Sequence, residues 1–101
     1  MSNVYINKVT IRSILEKQRI EKLEKLLQEY IGNIYKFTFK GNKISLYINK
    51  NKVLEVFKDS IEDKYYFKIN IDSRKDYSYS NKILDILKII IEELINILKE
   101  R

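Results

Sequence analysis

Absent residue types limit the chemistry that this 101-residue chain can perform. It contains no cysteine, histidine, tryptophan or proline, and it also has no alanine. Without cysteine there are no disulfides, thiolate nucleophiles or cysteine-bound zinc sites. Without histidine the commonest general base and the imidazole metal ligands are missing. The two glycines are too few for a glycine-rich phosphate loop. We therefore expect a protein that is not an enzyme and uses no cofactor.

A carboxylate pair, a lysine or a tyrosine would have to supply the chemistry of an enzyme, and none stands at a recognisable spacing. The one acidic cluster in the sequence is Asp59, Glu62 and Asp63. Carboxylate oxygens can hold Mg²⁺. Aspartate and serine are also the residue types that turns prefer, however, and Ser60 lies within the same stretch. The sequence therefore predicts a polar turn at residues 59–63 and no metal site.

Long apolar runs are missing as well, since the longest is Ile89-Ile90-Ile91. A membrane-spanning helix needs about 20 apolar residues. Residues 1–12 also lack the apolar segment of a secretory signal. We expect a cytoplasmic chain with no membrane partner, folded as a single domain over residues 1–101.

Four residue types dominate the composition. Isoleucine, lysine, asparagine and tyrosine account for 51 of the 101 residues. Their codons are rich in A and T, whereas the codons of the absent alanine and proline are rich in G and C. This bias indicates an AT-rich genome, such as that of a bacterium, archaeon, phage or plasmid. Part of the net charge of +6 therefore reflects coding bias, and the location of the charge matters more than its sum.

Two helices are predicted from apolar spacing and capping residues. The first begins with a capping box at Ser13–Glu16 and ends at Ile31, with Gly32 as its C-terminal cap. The last helix is capped by Ser80, or by Ser78, and runs to the end of the chain.

Alternating apolar residues predict strands at residues 34–40, 43–49, 53–58 and 65–72, with a short leading strand at 3–9. Gly41-Asn42 fits the loop of a type II′ hairpin, in which Lys40 faces Lys43. That register puts every apolar side chain of both strands on one face, which a one-residue slip would invert. The last strand is predicted to point four side chains toward the core, namely Tyr65, Phe67, Ile69 and Ile71. The expected fold is α+β, a small antiparallel meander sheet of four or five strands with two helices on one face, in the order (β)-α-β-β-β-β-α.

Charge is concentrated on the predicted hairpin and the turn that follows it. Residues 32–52 carry five lysines and no acid. Lysines neutralise phosphates and tyrosines stack on bases, so this surface suits nucleic acid. The alternative is an ordinary solvated sheet face in a lysine-rich proteome. Candidate contact residues are these lysines together with the tyrosines expected to be exposed on the hairpin, the fourth strand and its exit loop: Lys36, Lys40, Lys43, Tyr47, Lys50, Lys52, Tyr66, Tyr77 and Tyr79.

The last helix carries more apolar residues than one sheet-facing stripe requires. The extra positions are Leu84, Ile91, Ile95 and Leu98. They form the predicted contact face for a partner or for a second copy in a homodimer. Alternatively, the helix lies centrally, with the sheet on one side and the first helix on another.

The helix–sheet–helix order resembles double-stranded-RNA-binding domains and ribosome hibernation factors in topology alone. The small-residue stretch that precedes the final helix in RNA-binding domains is replaced here by residues 76–82, which carry Tyr77 and Tyr79. The resemblance therefore implies no function.

Two functions follow from the sequence. The first is a non-enzymatic, stoichiometric binding protein that docks on a protein or ribonucleoprotein complex. A phage- or plasmid-encoded inhibitor of a host defence complex, as anti-CRISPR proteins are, is the example we expect. The alternative is a module that binds RNA or DNA directly through the basic 32–52 hairpin.

Overall fold

The computed structural model describes residues 8–71 and 77–100, with side chains for 14–71 and 84–100. The described part is an α+β fold, as predicted, in which two helices flank four strands in chain order. The elements are α1 (Lys8–Ile31), β1 (Tyr35–Lys40), β2 (Lys43–Ile48), β3 (Asn51–Asp59), β4 (Lys64–Ile69) and α2 (Tyr77–Glu100).

The strands form an antiparallel meander in the order β1-β2-β3-β4. All six predicted cross-strand pairs of the first hairpin are confirmed, from Tyr35 opposite Ile48 to Lys40 opposite Lys43. Gly41 has a φ of 54°, while Asn42 stays at negative φ. This is the pattern of a type II′ turn, and it fixes which side chains share each face of the sheet.

The second hairpin turns on Asn49 and Lys50, whose φ angles are 50° and 70°. Two positive φ angles in a two-residue loop define a type I′ turn. The third strand consequently starts at Asn51, two residues before its predicted start. The pairing of β2 with β3 shifts between Leu46 and Tyr47, which leaves Val53 as an extra residue of β3. A bulge of this kind increases the local twist of the sheet.

Helix α1 begins at Lys8, so the capping box predicted at Ser13 is wrong. Lys8 and Val9, assigned to a leading strand, are helical, and the rest of that predicted strand lies outside the described residues. Residues 8–12 contain neither glycine nor proline. Nothing therefore stops the helix from extending in front of Ser13, because adding a residue to a formed helix is easy. The predicted end is confirmed: Gly32 has a φ of 74° and its N–H donates to the Gln28 carbonyl at 3.1 Å.

Helix α2 begins at Tyr77, ahead of both serines predicted to cap it. Ser78 and Ser80 therefore lie within its first turn, where serine is tolerated because the first N–H groups of a helix have no intrahelical partner. Over the residues that are described, neither helix is long and apolar enough to cross a membrane.

The core lies between the two helices and one face of the sheet, which we call the inner face. Helix α2 packs against α1 and also against β3. The fully buried side chains come from both helices and from the two central strands. The largest are Leu23, Leu27, Ile44, Leu46, Leu54, Ile86, Ile90, Leu94 and Ile97.

Polar contacts hold the helices in place at the rim of this core. Arg19 of α1 donates to Glu93 at 3.0 Å and to Glu100 at 2.7 Å, both on α2. These hydrogen bonds raise the pKa of Arg19, that with Glu100 most. Tyr35 of β1 donates to Glu24 of α1 at 3.2 Å, and burial raises the pKa of its hydroxyl.

The side chains of the fourth strand that are predicted to point toward the core are only partly buried. Tyr65 is half-buried, but Phe67 is 51% exposed and Ile69 is 44% exposed. Both lie on the inner face, because they pair with the buried Val56 and Leu54. The strand is at the edge of the sheet, and α2 packs against β3 instead. The described helices therefore cover this strand only at its start.

Candidate functional site

The face of the sheet turned away from the helices, which we call the outer face, carries most of the net positive charge of the strands. The register between strands assigns 13 alternate positions to it. Six of these are lysines and two are acids, which leaves a net charge of +4. The charged residues are Lys36, Lys40, Lys43, Lys52, Lys64, Lys68, Glu55 and Asp59. Among the described inner-face positions of the strands, Lys58 is the one charged residue, so the two faces differ strongly in potential.

Aromatic rings lie between these lysines. Phe57 and Tyr66 are cross-strand partners and stack with their ring centroids 5.5 Å apart. The Lys68 ammonium is 5.7 Å from the Phe57 centroid, and the Lys52 ammonium is 6.0 Å from that of Tyr47. Cations at this distance are attracted to the ring faces. The outer face is thus a mixed array of cations and rings.

Tyr66 is the most exposed of these rings, at 38%. Its hydroxyl donates to Glu62 at 2.9 Å, and this hydrogen bond raises the pKa of Tyr66. The prediction that Tyr66 is exposed is confirmed. The Tyr66 side chain of the stacked pair is therefore partly accessible to a ligand.

Glu55 is the one carboxylate at the centre of the outer face. Its side chain is only 14% exposed and lies 2.8 Å from the Lys43 ammonium and 3.9 Å from that of Lys52. The hydrogen bond with Lys43 lowers the pKa of Glu55, and the charges of Lys52 and Lys68 act in the same direction. Glu55 therefore stays ionised at neutral pH and neutralises part of the charge around it.

The β1 side of the outer face, with the neighbouring turn residue Lys50, has cations that no described carboxylate pairs with. Within the described part of the chain, no acid lies within 4.0 Å of Lys36, Lys40 or Lys50. All three lysines are exposed. Exposed, unpaired ammonium groups are available to neutralise an anionic ligand, whereas Lys43 and Lys52 already share Glu55.

The structure thus brings together six of the predicted contact residues on or beside one hairpin, and Tyr66 on the same face. It also adds Phe57, Lys64 and Lys68, which the sequence reasoning missed. The signal was present in the fourth strand, because Lys64, Tyr66 and Lys68 alternate with the residues predicted to point inward. Positions that alternate with a predicted core face belong to the opposite face.

Tyr77 and Tyr79 were predicted to lie in an exit loop, and this is wrong. Both belong to the first turn of α2. Their side chains lie outside those that the structure describes, so their predicted contact role stays a prediction.

The predicted contact face of the last helix is largely internal. Ile91 and Leu98 are buried, and Ile95 is half-buried against the core. The physical reason is the central position of α2, which has α1 on one side and the sheet on another. The alternative of an internally covered helix therefore fits these three residues, and Leu84, at 57% exposed, is the one that remains on the surface.

The acidic turn has a structural role. Asp59 accepts a hydrogen bond from the Ile61 N–H at 2.9 Å and another from the Glu62 N–H at 3.4 Å. Asp63 pairs with Lys58 at 3.1 Å. The predicted polar turn is confirmed at residues 60–63, and its carboxylates are engaged in holding it.

The chain matches no protein-family model, no curated protein and no solved structure. Its function is therefore inferred from the residues and their geometry.

Proposed function

We propose that this protein is a non-enzymatic binding domain whose outer sheet face binds single-stranded nucleic acid. The observation that carries the proposal is the interleaving of six lysines with three aromatic rings on one face. Single-strand binding combines a cationic surface that follows the phosphates with rings on which bases stack. Stacked cross-strand rings such as Phe57 and Tyr66 also stabilise a sheet by themselves, so the lysines around the rings carry the part of the argument that points to nucleic acid.

The unpaired cations strengthen this proposal. Lysines already held by carboxylates gain little from a phosphate, because one ion pair replaces another. Lys36, Lys40 and Lys50 have no such partner among the described residues. The chain has only four arginines, and lysine lacks the bidentate fork that reads base edges. We therefore expect binding with weak sequence preference.

The test is the salt dependence of binding to labelled single-stranded RNA and DNA, followed by fluorescence anisotropy. For single strands, log affinity falls with log salt by about 0.7 per phosphate contact, so four lysine contacts predict a slope of about −3. In the Lys36→Gln, Lys40→Gln, Lys50→Gln triple variant, the plot of log affinity against log salt should be less steep than that of the parent by about 2. At 0.1 M salt this variant should bind roughly 100-fold more weakly than the parent.

A matched control removes the same charge from the helices. The Lys17→Gln, Lys25→Gln, Lys88→Gln variant changes three exposed lysines of α1 and α2. It should keep most of the affinity, because these residues are not on the outer face. Equal losses in the two triple variants would contradict the proposal, as would the absence of binding at low salt.

A second candidate is the protein-docking inhibitor expected from the sequence, encoded by a phage or plasmid and acting on a host defence complex. The observation that favours it is the exposed Phe67 and Ile69 on an edge strand, since exposed apolar edges commonly contact other proteins. In a pull-down, the Phe67→Ser, Ile69→Ser variant should no longer recover the partner. The Lys36→Gln, Lys40→Gln, Lys50→Gln triple variant should recover it fully. The opposite result would reject this candidate.

A further inference from the structure

A cleft of about 520 Å³ opens where β1 begins and β2 ends. Its walls include Asn33 and Ile34 before β1, the outer-face pair Lys36 and Tyr47, and the turn residue Lys50. The Asn49 N–H donates to the Ile34 carbonyl at 2.8 Å, which ties the turn to the start of β1 and fixes the two walls. A cavity of this volume is within the usual range for small-ligand sites.

The lining of this cleft is cationic and rich in hydrogen-bonding groups. Of the eight described residues that line it, none is acidic, although the chain has 14 acidic residues. Lys36 and Lys50 supply two ammonium groups, Asn33 and Asn49 supply amides, and Tyr47 supplies a ring. Ammonium groups bind phosphate oxygens, and amides can donate to and accept from a base edge.

The backbone conformation of Lys50 is the second observation. Five described residues have positive φ, and four of them are glycine, asparagine or aspartate, which tolerate the left-handed region. Lys50, with a φ of 70°, is the exception. Glycine is strongly preferred at this second position of a type I′ turn. A lysine is therefore held there against its backbone preference, and such exceptions cluster at functional sites.

We propose that the cleft binds one phosphorylated nucleotide, with its phosphate contacted by Lys36 and Lys50 and its base placed against Tyr47. This inference rests on the proposed function, because it assigns one nucleotide unit of the bound strand to a defined site. Lys50 is the residue that distinguishes a nucleotide site from a passive surface, since its position favours glycine on structural grounds alone.

The test uses adenosine monophosphate, adenosine and inorganic phosphate as probes in calorimetric titrations with the full chain. Adenosine monophosphate should bind more tightly than adenosine or phosphate, because it engages both the lysines and the ring. The Lys50→Gly variant should weaken its binding about tenfold, the effect of losing one charge-assisted contact. The same variant should have a higher Tm than the parent, because glycine adopts the left-handed conformation at position 50 without strain.

The Lys40→Gln variant is the control, because Lys40 is an outer-face lysine that, among the described residues, pairs with no acid and does not line the cleft. It should weaken oligonucleotide binding and leave the binding of adenosine monophosphate unchanged. Equal affinity for phosphate and the nucleotide would overturn the assignment of a nucleotide, and so would a Lys50→Gly variant that binds as the parent does. If oligonucleotides bind but adenosine monophosphate does not, this inference fails and the proposed function stands. If only the nucleotide binds, the proposed function fails and the cleft is a site for a free nucleotide, not for one unit of a strand.

Discussion

Removal of the Glu55 carboxylate should weaken the fold and strengthen nucleic-acid binding at the same time. The perturbation is Glu55→Gln, which keeps the shape of the side chain and removes its charge. In the parent, Glu55 holds Lys43 at 2.8 Å and lies near Lys52. Without the carboxylate, both ammonium groups become available to phosphates, and the net charge of the outer face rises from +4 to +5.

The expected loss of stability is modest, because Lys43 is half exposed even though Glu55 is largely covered. A partly exposed, hydrogen-bonded ion pair contributes about 1 kcal/mol. For a domain of this size that corresponds to a fall in Tm of about 4–8 °C. Counting the net gain of one positive charge as one additional phosphate contact, the salt slope steepens by about 0.7, and the variant should bind about fivefold more tightly than the parent at 0.1 M salt.

Thermal unfolding and anisotropy titrations of the same preparations test both effects. The control is Glu92→Gln, which adds the same charge on an exposed position of α2. It should alter the affinity much less. A Glu55→Gln protein that binds single strands no more tightly than the parent would show that the lysines around Glu55 are not at the binding surface.

Three further outcomes are expected for stability. Leu46→Ala should lower the free energy of unfolding by about 3 kcal/mol in denaturant titrations with an unchanged m-value, because Leu46 is fully buried between two strands and the helices. Arg19→Gln should lower it by about 1 kcal/mol through loss of the Glu93 and Glu100 contacts, and this difference should shrink at 1 M salt. The folded state holds the pKa of Glu55 below its ordinary value of 4.5. The contribution of Glu55 to stability is therefore present above pH 4.5 and is lost as the pH falls through the lowered pKa. The stability of the Glu55→Gln variant should accordingly fall less steeply with decreasing pH on the acid side than that of the parent.

The sheet was largely predictable because two-residue alternation and turn chemistry are local signals. Gly41 sets the first turn, and from that turn the pairing of Lys36 with Tyr47 and their location on the outer face follow. The type of the second turn was harder to predict from the sequence, because Lys50 occupies a position where glycine is expected. Its left-handed conformation is imposed by the hairpin and is invisible in residue preferences.

The predicted helix starts rest on local capping signals that the helices do not use, and the cover of α2 depends on long-range packing. A serine followed three residues later by glutamate fits a cap, yet Ser13 lies inside α1. Whether Ile91 and Leu98 face a partner or the protein's own core depends on where α1 docks, and no local pattern carries that information. No local pattern predicts the lysine neighbours of Glu55 either, because they come from different strands.

The central claim is that the outer sheet face binds single-stranded nucleic acid. The most direct test is a titration of the isotope-labelled protein with a single-stranded oligonucleotide at low salt, followed by amide chemical shifts. The largest changes should occur at outer-face and turn positions such as Lys36, Tyr47 and Lys50, with little change along residues 84–100 of α2. Changes confined to the helices or to Phe67 and Ile69, or no change at all, would contradict the claim.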